Sequence, residues 1–135
     1  MANSLYGKAR EKFAQAALNW NTSPIKVVLV DTGAYTPSID VHEFLSDIPA
    51  GARIATSPAL TGKTSILGEC DADDVTVVGV AGATIEAAVI IADTGVATTS
   101  ALIAFIDTAT GLTLTPNGGD VLIGWNNGAN KIFRL

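Results

Sequence analysis

From Pro24 to the C-terminus the chain is a succession of short apolar runs, each closed by a cluster of Gly, Asn, Asp, Thr or Pro. That punctuation constrains the fold more than any other feature. Runs of about four to eight residues suit strands, while a helix asks for about ten or more with a 3.6-residue period. The breakers supply turn geometry, because Gly and Asn accept positive φ and Asp bonds its own backbone two residues on. "IKVVLV" (25–30) is apolar on both faces and reads as a central strand covered on both sides. Further strands are predicted at "ARIATS" (52–57), "GKTSILG" (62–68), "DVTVVGV" (74–80) and "TIEAAVIIA" (84–92). Three more fall at "ALIAFID" (101–107), "DVLIGWN" (120–126), with Trp125 on its core side, and "NKIFRL" (130–135). "PNGG" and "NNG" offer the residues that tight β connections need. Pro58 cannot donate to a ladder and marks an edge strand or a strand end. "VHEFLSDIP" (41–49) reads as a short helical turn that stops at Pro49.

Before this β text stands one helix, predicted over residues 4–19. Leu5, Ala9, Phe13, Ala16, Ala17 and Trp20 recur at spacings of three and four, with Lys8, Glu11, Lys12 and Gln15 on the opposite face. "NTSP" (21–24) breaks it, since Pro24 forbids continuation. The aromatic stripe suits packing on a sheet or docking on a neighbouring subunit. The fold class that follows is mainly β: an antiparallel β-sandwich or barrel, jelly-roll-like, with one N-terminal amphipathic helix. A chain of 135 residues fits one domain, 1–135, with the helix at 4–19 and the β body at 25–135.

Charged residues make up 16%, against about a quarter in ordinary soluble domains. A small domain has much surface, so a surface this poor in charge suits either a monomer with a neutral, Thr-covered β face or, the preferred reading, one that copies or partners partly cover. The net charge of -5 argues against binding a phosphate backbone, and no nucleic acid partner is expected. No apolar run reaches membrane-spanning length, and the N-terminus lacks the basic start and apolar core of a signal peptide. One cysteine, Cys70, excludes an internal disulfide, and with the single His42 it leaves few ligands of the types zinc sites use. No metal and no cofactor is implied.

The motif that most resembles chemistry is "VVLVDTGAYT" (27–36), an apolar strand ending in Asp-Thr-Gly, as in retroviral-type aspartic proteases. A second Asp-Thr-Gly stands at Asp93 to Gly95. Such chemistry needs two carboxylates sharing one proton. Yet the triplet recurs wherever an apolar strand ends, in "VLVDTGA", "IIADTGV" and the related "FIDTATG", so it reads as turn punctuation. Asp31 is therefore expected to accept from nearby backbone rather than to share a proton. "CDADD" (70–74) starts like a calcium loop but lacks the glycine at its sixth position and the closing glutamate. "TGKTS" (61–65) lacks the upstream glycine of a phosphate loop, and His42 with Glu43 has no second histidine. No nucleophile, base and orienting group emerge together; catalytic residues are read as none, and the chain does not read as an enzyme.

Taken whole, the sequence resembles a family of small virion structural proteins of tailed phages and prophages. The stretches that carry the likeness are "MANSLYGKAREKFAQAALNW" and "IKVVLVDTGAYTPSIDVHEFLSDIPAGARIATS", then "DADDVTVVGVAGATIEAAVIIADTG" and "LIAFIDTATGLTLTPNGGDVLIGWNNGANKIFRL". Together they span nearly the full chain, with residues 56 to 70 the least telling. The resemblance implies a virion component, assembled in the host cytoplasm, and carries over no catalytic residue. Among virion roles, a capsid decoration (cement) protein on the outer head surface suits an acidic chain best, with a tail, baseplate or head-fibre component as the alternative. Its partners would be the major capsid protein or other virion proteins, and copies of itself, a trimer at a threefold position being the natural expectation. The candidate contact residues are the aromatics Tyr6, Phe13 and Trp20 of the helix and Tyr35 of the loop "TGAYTPSID". If they lie at an interface, replacing Tyr6 and Tyr35 by Ala should spare the isolated fold.

Overall fold

The computed structural model describes residues 3–125 and 131–135. The chain begins with a short strand, β1 (Ser4–Leu5), and a helix, α1 (Gly7–Ala14), followed by β2 (Ile25–Val30). Two single 3₁₀ turns, Leu45–Asp47 and Ala50–Ala52, lead into β3 (Arg53–Thr56). The remaining strands are β4 (Thr64–Ile66), β5 (Glu69–Asp71), β6 (Val75–Val77), β7 (Ala87–Ala92), β8 (Ala101–Ile106), β9 (Val121–Ile123) and β10 (Phe133–Arg134). All pairings are antiparallel, in a five-stranded sheet β1-β8-β7-β2-β3, a three-stranded sheet β10-β5-β4 and a ribbon β6-β9. The mainly β class with one helix near the N-terminus is thus the observed one; the described strands do not close into a barrel. The expected "NNG" turn lies at residues 126–130, outside the described residues.

The core sits on the three long strands whose sequences do not alternate. β2, β7 and β8 run "IKVVLV", "AAVIIA" and "ALIAFI", and nearly every side chain along them is buried. Cross-strand neighbours share a face, so Val28, Val89 and Phe105 line up on one side of the sheet and Leu29, Ala88 and Ile106 on the other. Both faces are therefore covered, as the continuous apolar text of β2 requires. Ile103 is the extra residue where the β7–β8 register shifts, a bulge of the kind that adds twist. β3 is the outer strand on the far side of β2, and Pro58 follows its end, where its missing donor costs nothing.

Three expectations are corrected. The helix covers eight residues, not sixteen. At its start, Ser4 and Leu5 are drawn into pairing with Phe105 and Ala104 of β8, and Tyr6 N–H donates to Ile103 O at 2.9 Å. An open strand edge outweighs helical period there, because its carbonyls and amides need partners. At its end, Ala16 adopts φ 59°. Ala16 N–H then bonds Phe13 O (3.2 Å) and Ala17 N–H bonds Lys12 O (2.8 Å), a Schellman closure with alanine where glycine is usual. Secondly, residues 69–73, between the strands predicted at 62–68 and 74–80, are not all connection: Glu69–Asp71 is β5, the hairpin partner of β4. Thirdly, the outer strands are shorter than predicted, because turns at Leu67–Gly68 and Gly79 take positive φ inside the apolar runs.

Candidate functional site

The two Asp-Thr-Gly turns are built alike at opposite ends of one ladder. Asp31 leaves β2 and its Oδ1 accepts from Gly33 N–H at 2.8 Å. Asp93 leaves β7 and its Oδ1 accepts from Gly95 N–H at 3.0 Å. Each carboxylate thus closes an Asx turn, the role expected for Asp31. Gly95 takes φ 86°, whereas Gly33 gives room instead: a Cβ there would stand 3.0 Å from Asp31 Oδ1 and press on it. β2 and β7 pair from Ile25↔Ala92 to Val30↔Ala87, so the two aspartates sit beyond opposite ends of a six-residue ladder. At about 3.3 Å per residue that separates them by ~20 Å. A proton-sharing pair made of Asp31 and Asp93 within one subunit is excluded by this geometry. Asp93 is further committed to Lys26, with Nζ–Oδ2 at 2.8 Å. That ammonium, with the Gly95 amide, holds its carboxyl below the usual range.

The four candidate contact residues go largely to the subunit's own interior. Tyr6 is 0% exposed, Trp20 3% and Tyr35 4%, while Phe13 is half-buried against the core. Trp20 Nε1–H donates to Asp71 O (3.0 Å), and its ring meets Phe133 edge-on at 5.1 Å. Phe13 lies 6.3 Å from the same Phe133 ring. These aromatics pin α1 and the chain after it to the three-stranded sheet. Tyr35 belongs to a largely buried polar chain that joins residues far apart in sequence. Ser38 N–H donates to His42 Nδ1 (3.1 Å), so that nitrogen carries no proton and Tyr35 O–H donates to it as well (3.0 Å). The Tyr35 oxygen is left to accept from Tyr6 O–H at 2.8 Å. Burial pushes both phenols up in pKa, the Tyr6–Tyr35 bond adding to the rise at Tyr6 and opposing it at Tyr35. The contact surface of any assembly must therefore be made by residues other than Tyr6, Trp20 and Tyr35. Replacing either tyrosine by alanine would damage the fold, contrary to the expectation that it would be spared.

The other motifs are absorbed by structure. Lys63 of "TGKTS" donates to Ser23 O, and burial lowers its pKa. Asp74 Oδ1 accepts from Trp125 N–H (2.9 Å), and Trp125 Nε1–H, on a half-buried ring, donates to Asp73 O (3.1 Å). Cys70 is buried and its thiol is pushed up to about 11 by that burial, far from a thiolate at neutral pH. Asp47 Oδ2 accepts from Glu43 N–H (2.8 Å) and Phe44 N–H (3.1 Å), which lowers its pKa and secures the turn before Pro49. Among the described residues no group of three or more His, Cys, Asp or Glu is placed to hold a metal, and no helix is long and apolar enough to cross a membrane.

Two surface features remain. An open groove of about 1020 Å³ is lined by Leu29, Ala88 and Ala104 of the large sheet and by Trp125. Arg10 and Arg134 also line it, but its described lining holds no His or Cys and only one carboxylate, Asp120, so no acid–base or nucleophilic pair is assembled there. Among the described residues, seven large aliphatic side chains also stand more than half exposed, Leu67 at 88% and Val78 at 76% foremost. No protein-family model matches the chain, and no curated protein matches it.

Proposed function

We propose that the chain is a structural component of a phage virion: a capsid decoration protein that binds the outer surface of the head and stabilises it. The observation that carries this reading is the resemblance over nearly the full chain to small tailed-phage virion proteins, stated above on residues 1–20, 25–57, 71–95 and 102–135. Three physical features support it. The body is a β framework with nearly every side chain of its three longest strands buried, which suits a part that must persist outside the cell. Charge is sparse and exposed aliphatics are many, as expected where copies and partners meet. The charge that exists is net negative, which suits an outer face and not one turned to packaged DNA. Repetition over a shell then multiplies weak contacts by avidity. Its partners are the major capsid protein and further copies of itself.

The test is co-sedimentation with expanded heads of the phage that encodes the chain. The protein should pellet with the heads at saturable stoichiometry and raise the temperature at which they release DNA. Protein that stays in the supernatant, with heads no more heat-resistant than before, refutes the reading; binding confined to purified tails would move it to a tail component.

A further inference from the structure

The β4–β5 hairpin turns through Leu67 and Gly68, at φ 54° and 81°. Two successive positive φ values in a two-residue loop are the type I′ pattern, whose first position favours Asn, Asp or Gly. Here it holds leucine, sterically disfavoured in that backbone region and 88% exposed. Ile66 beside it is 66% exposed, and Leu135, whose N–H donates to Gly68 O at 2.8 Å, brings a third exposed aliphatic to the same tip. All three residues of β4 are exposed, and the order β10-β5-β4 leaves β4 at the edge of its sheet. Because Ile66 and Glu69 close the two-residue turn, the antiparallel alternation points Ser65 N–H and C=O outward, away from β5. Exposed edges are ordinarily guarded by lysine, proline or a bulge. Thr64–Leu67 contains none, and Lys63 is turned inward onto Ser23 O.

We propose that the edge of β4 pairs antiparallel with the same edge of a second copy of this chain, across a two-fold axis at Ser65. Self-complementarity selects that occupant, since the outward N–H and C=O of Ser65 meet the same two groups of a second Ser65 across the axis, and charge does not oppose it. A chain of net charge -5 repels its own copy over most of its surface, but Thr64–Leu67 is uncharged. The carboxylates on that face are Asp71, opposite Thr64, and Glu69, opposite Ile66; the closest approach, between Asp71 of one copy and Glu69 of the other, spans three strand spacings. That is ~14 Å, beyond the Debye length of ~8 Å at physiological salt. In this register Thr64 of one copy meets Ile66 of the other, a cross-strand pair of β-branched residues. The two three-stranded sheets become one of six strands, and the leucine tips lie along the joint. A strand edge that pairs with itself is two-fold, so the unit is a dimer and not the trimer that a threefold lattice position suggests. The proposal names the contact behind the homo-oligomer of the proposed function. It is tested on the isolated protein, so failure to bind heads would leave it standing.

The experiment is sedimentation equilibrium of the full chain and two variants, each checked for an unchanged near-UV spectrum. Leu67→Asn places a residue favoured by the turn, and Thr64→Lys sets an ammonium opposite Asp71 within the hairpin, so neither threatens the subunit fold. At ~100 μM the parent should show twice the 13.8 kDa chain mass, and each variant should dissociate with a Kd raised at least about tenfold. A parent that is monomeric or trimeric at that concentration, or a dimer that both substitutions leave intact, overturns the proposal.

Discussion

The buried chain Tyr6–Tyr35–His42 has a direction, and direction makes its two ends unequal. Ser38 N–H can only donate, so His42 Nδ1 accepts, Tyr35 O–H donates to it, and Tyr6 O–H donates to Tyr35. Tyr6→Phe deletes the outermost donor and leaves every remaining group with a partner. Its cost should be one net hydrogen bond, about 0.5–1.5 kcal/mol. Tyr35→Phe deletes the middle hydroxyl and leaves Tyr6 O–H buried with no acceptor, at a cost of about 1–3 kcal/mol. The double substitution removes that stranded hydroxyl, so it should cost less than the sum of the two singles by about 1 kcal/mol or more. Urea unfolding followed by circular dichroism gives all three values. In a chain of this length each kcal/mol moves Tm by about 3–5 °C, so the ordering is also visible thermally. Equal costs for the two single changes, with additivity within ~0.5 kcal/mol, would show that the chain is not wired in this direction.

Three further outcomes are expected. Ala16→Gly should stabilise by about 0.5–1 kcal/mol in a thermal melt, since relief of left-handed strain exceeds the added freedom of the unfolded chain; a loss of stability would remove the Schellman closure from the account. Asp47 and Asp93 have lowered pKa values in the folded protein. The folded state therefore binds fewer protons there, its stability is whole above pH ~4 and is lost as pH falls further, and Asp93→Asn should flatten that acid limb. Tyr6 and Tyr35 are the chain's two tyrosines and both phenols are raised. Their contribution is whole below pH ~10 and fades above it, so tyrosinate absorbance should appear together with unfolding; ionisation of either phenol in a still-folded protein would contradict their burial.

How much of this was legible in the sequence depends on the range of the forces involved. β2, β7 and β8 could be read because burial on both faces leaves a continuous apolar run, a local signature of a global position. The Asp-Thr-Gly turns could be read because an Asx turn is made within three residues. The helix ends could not, since β8 captures Ser4 and Leu5 from nearly a hundred residues away. Tyr6 and Tyr35 looked like surface anchors because their hydroxyl partners arrive only on folding; the one available signal was a histidine seven residues after Tyr35, too common a spacing to weigh. The hairpin at Leu67–Gly68 was hidden because leucine stands where Asn-Gly would have announced the turn.

The most direct test of the proposed role is a protein inventory of purified virions, with heads and tails separated and copies counted by quantitative mass spectrometry. The account predicts the chain in tailless heads, in a copy number that scales with the capsomers. Its absence from particles, or its presence only in the tail fraction, would contradict it.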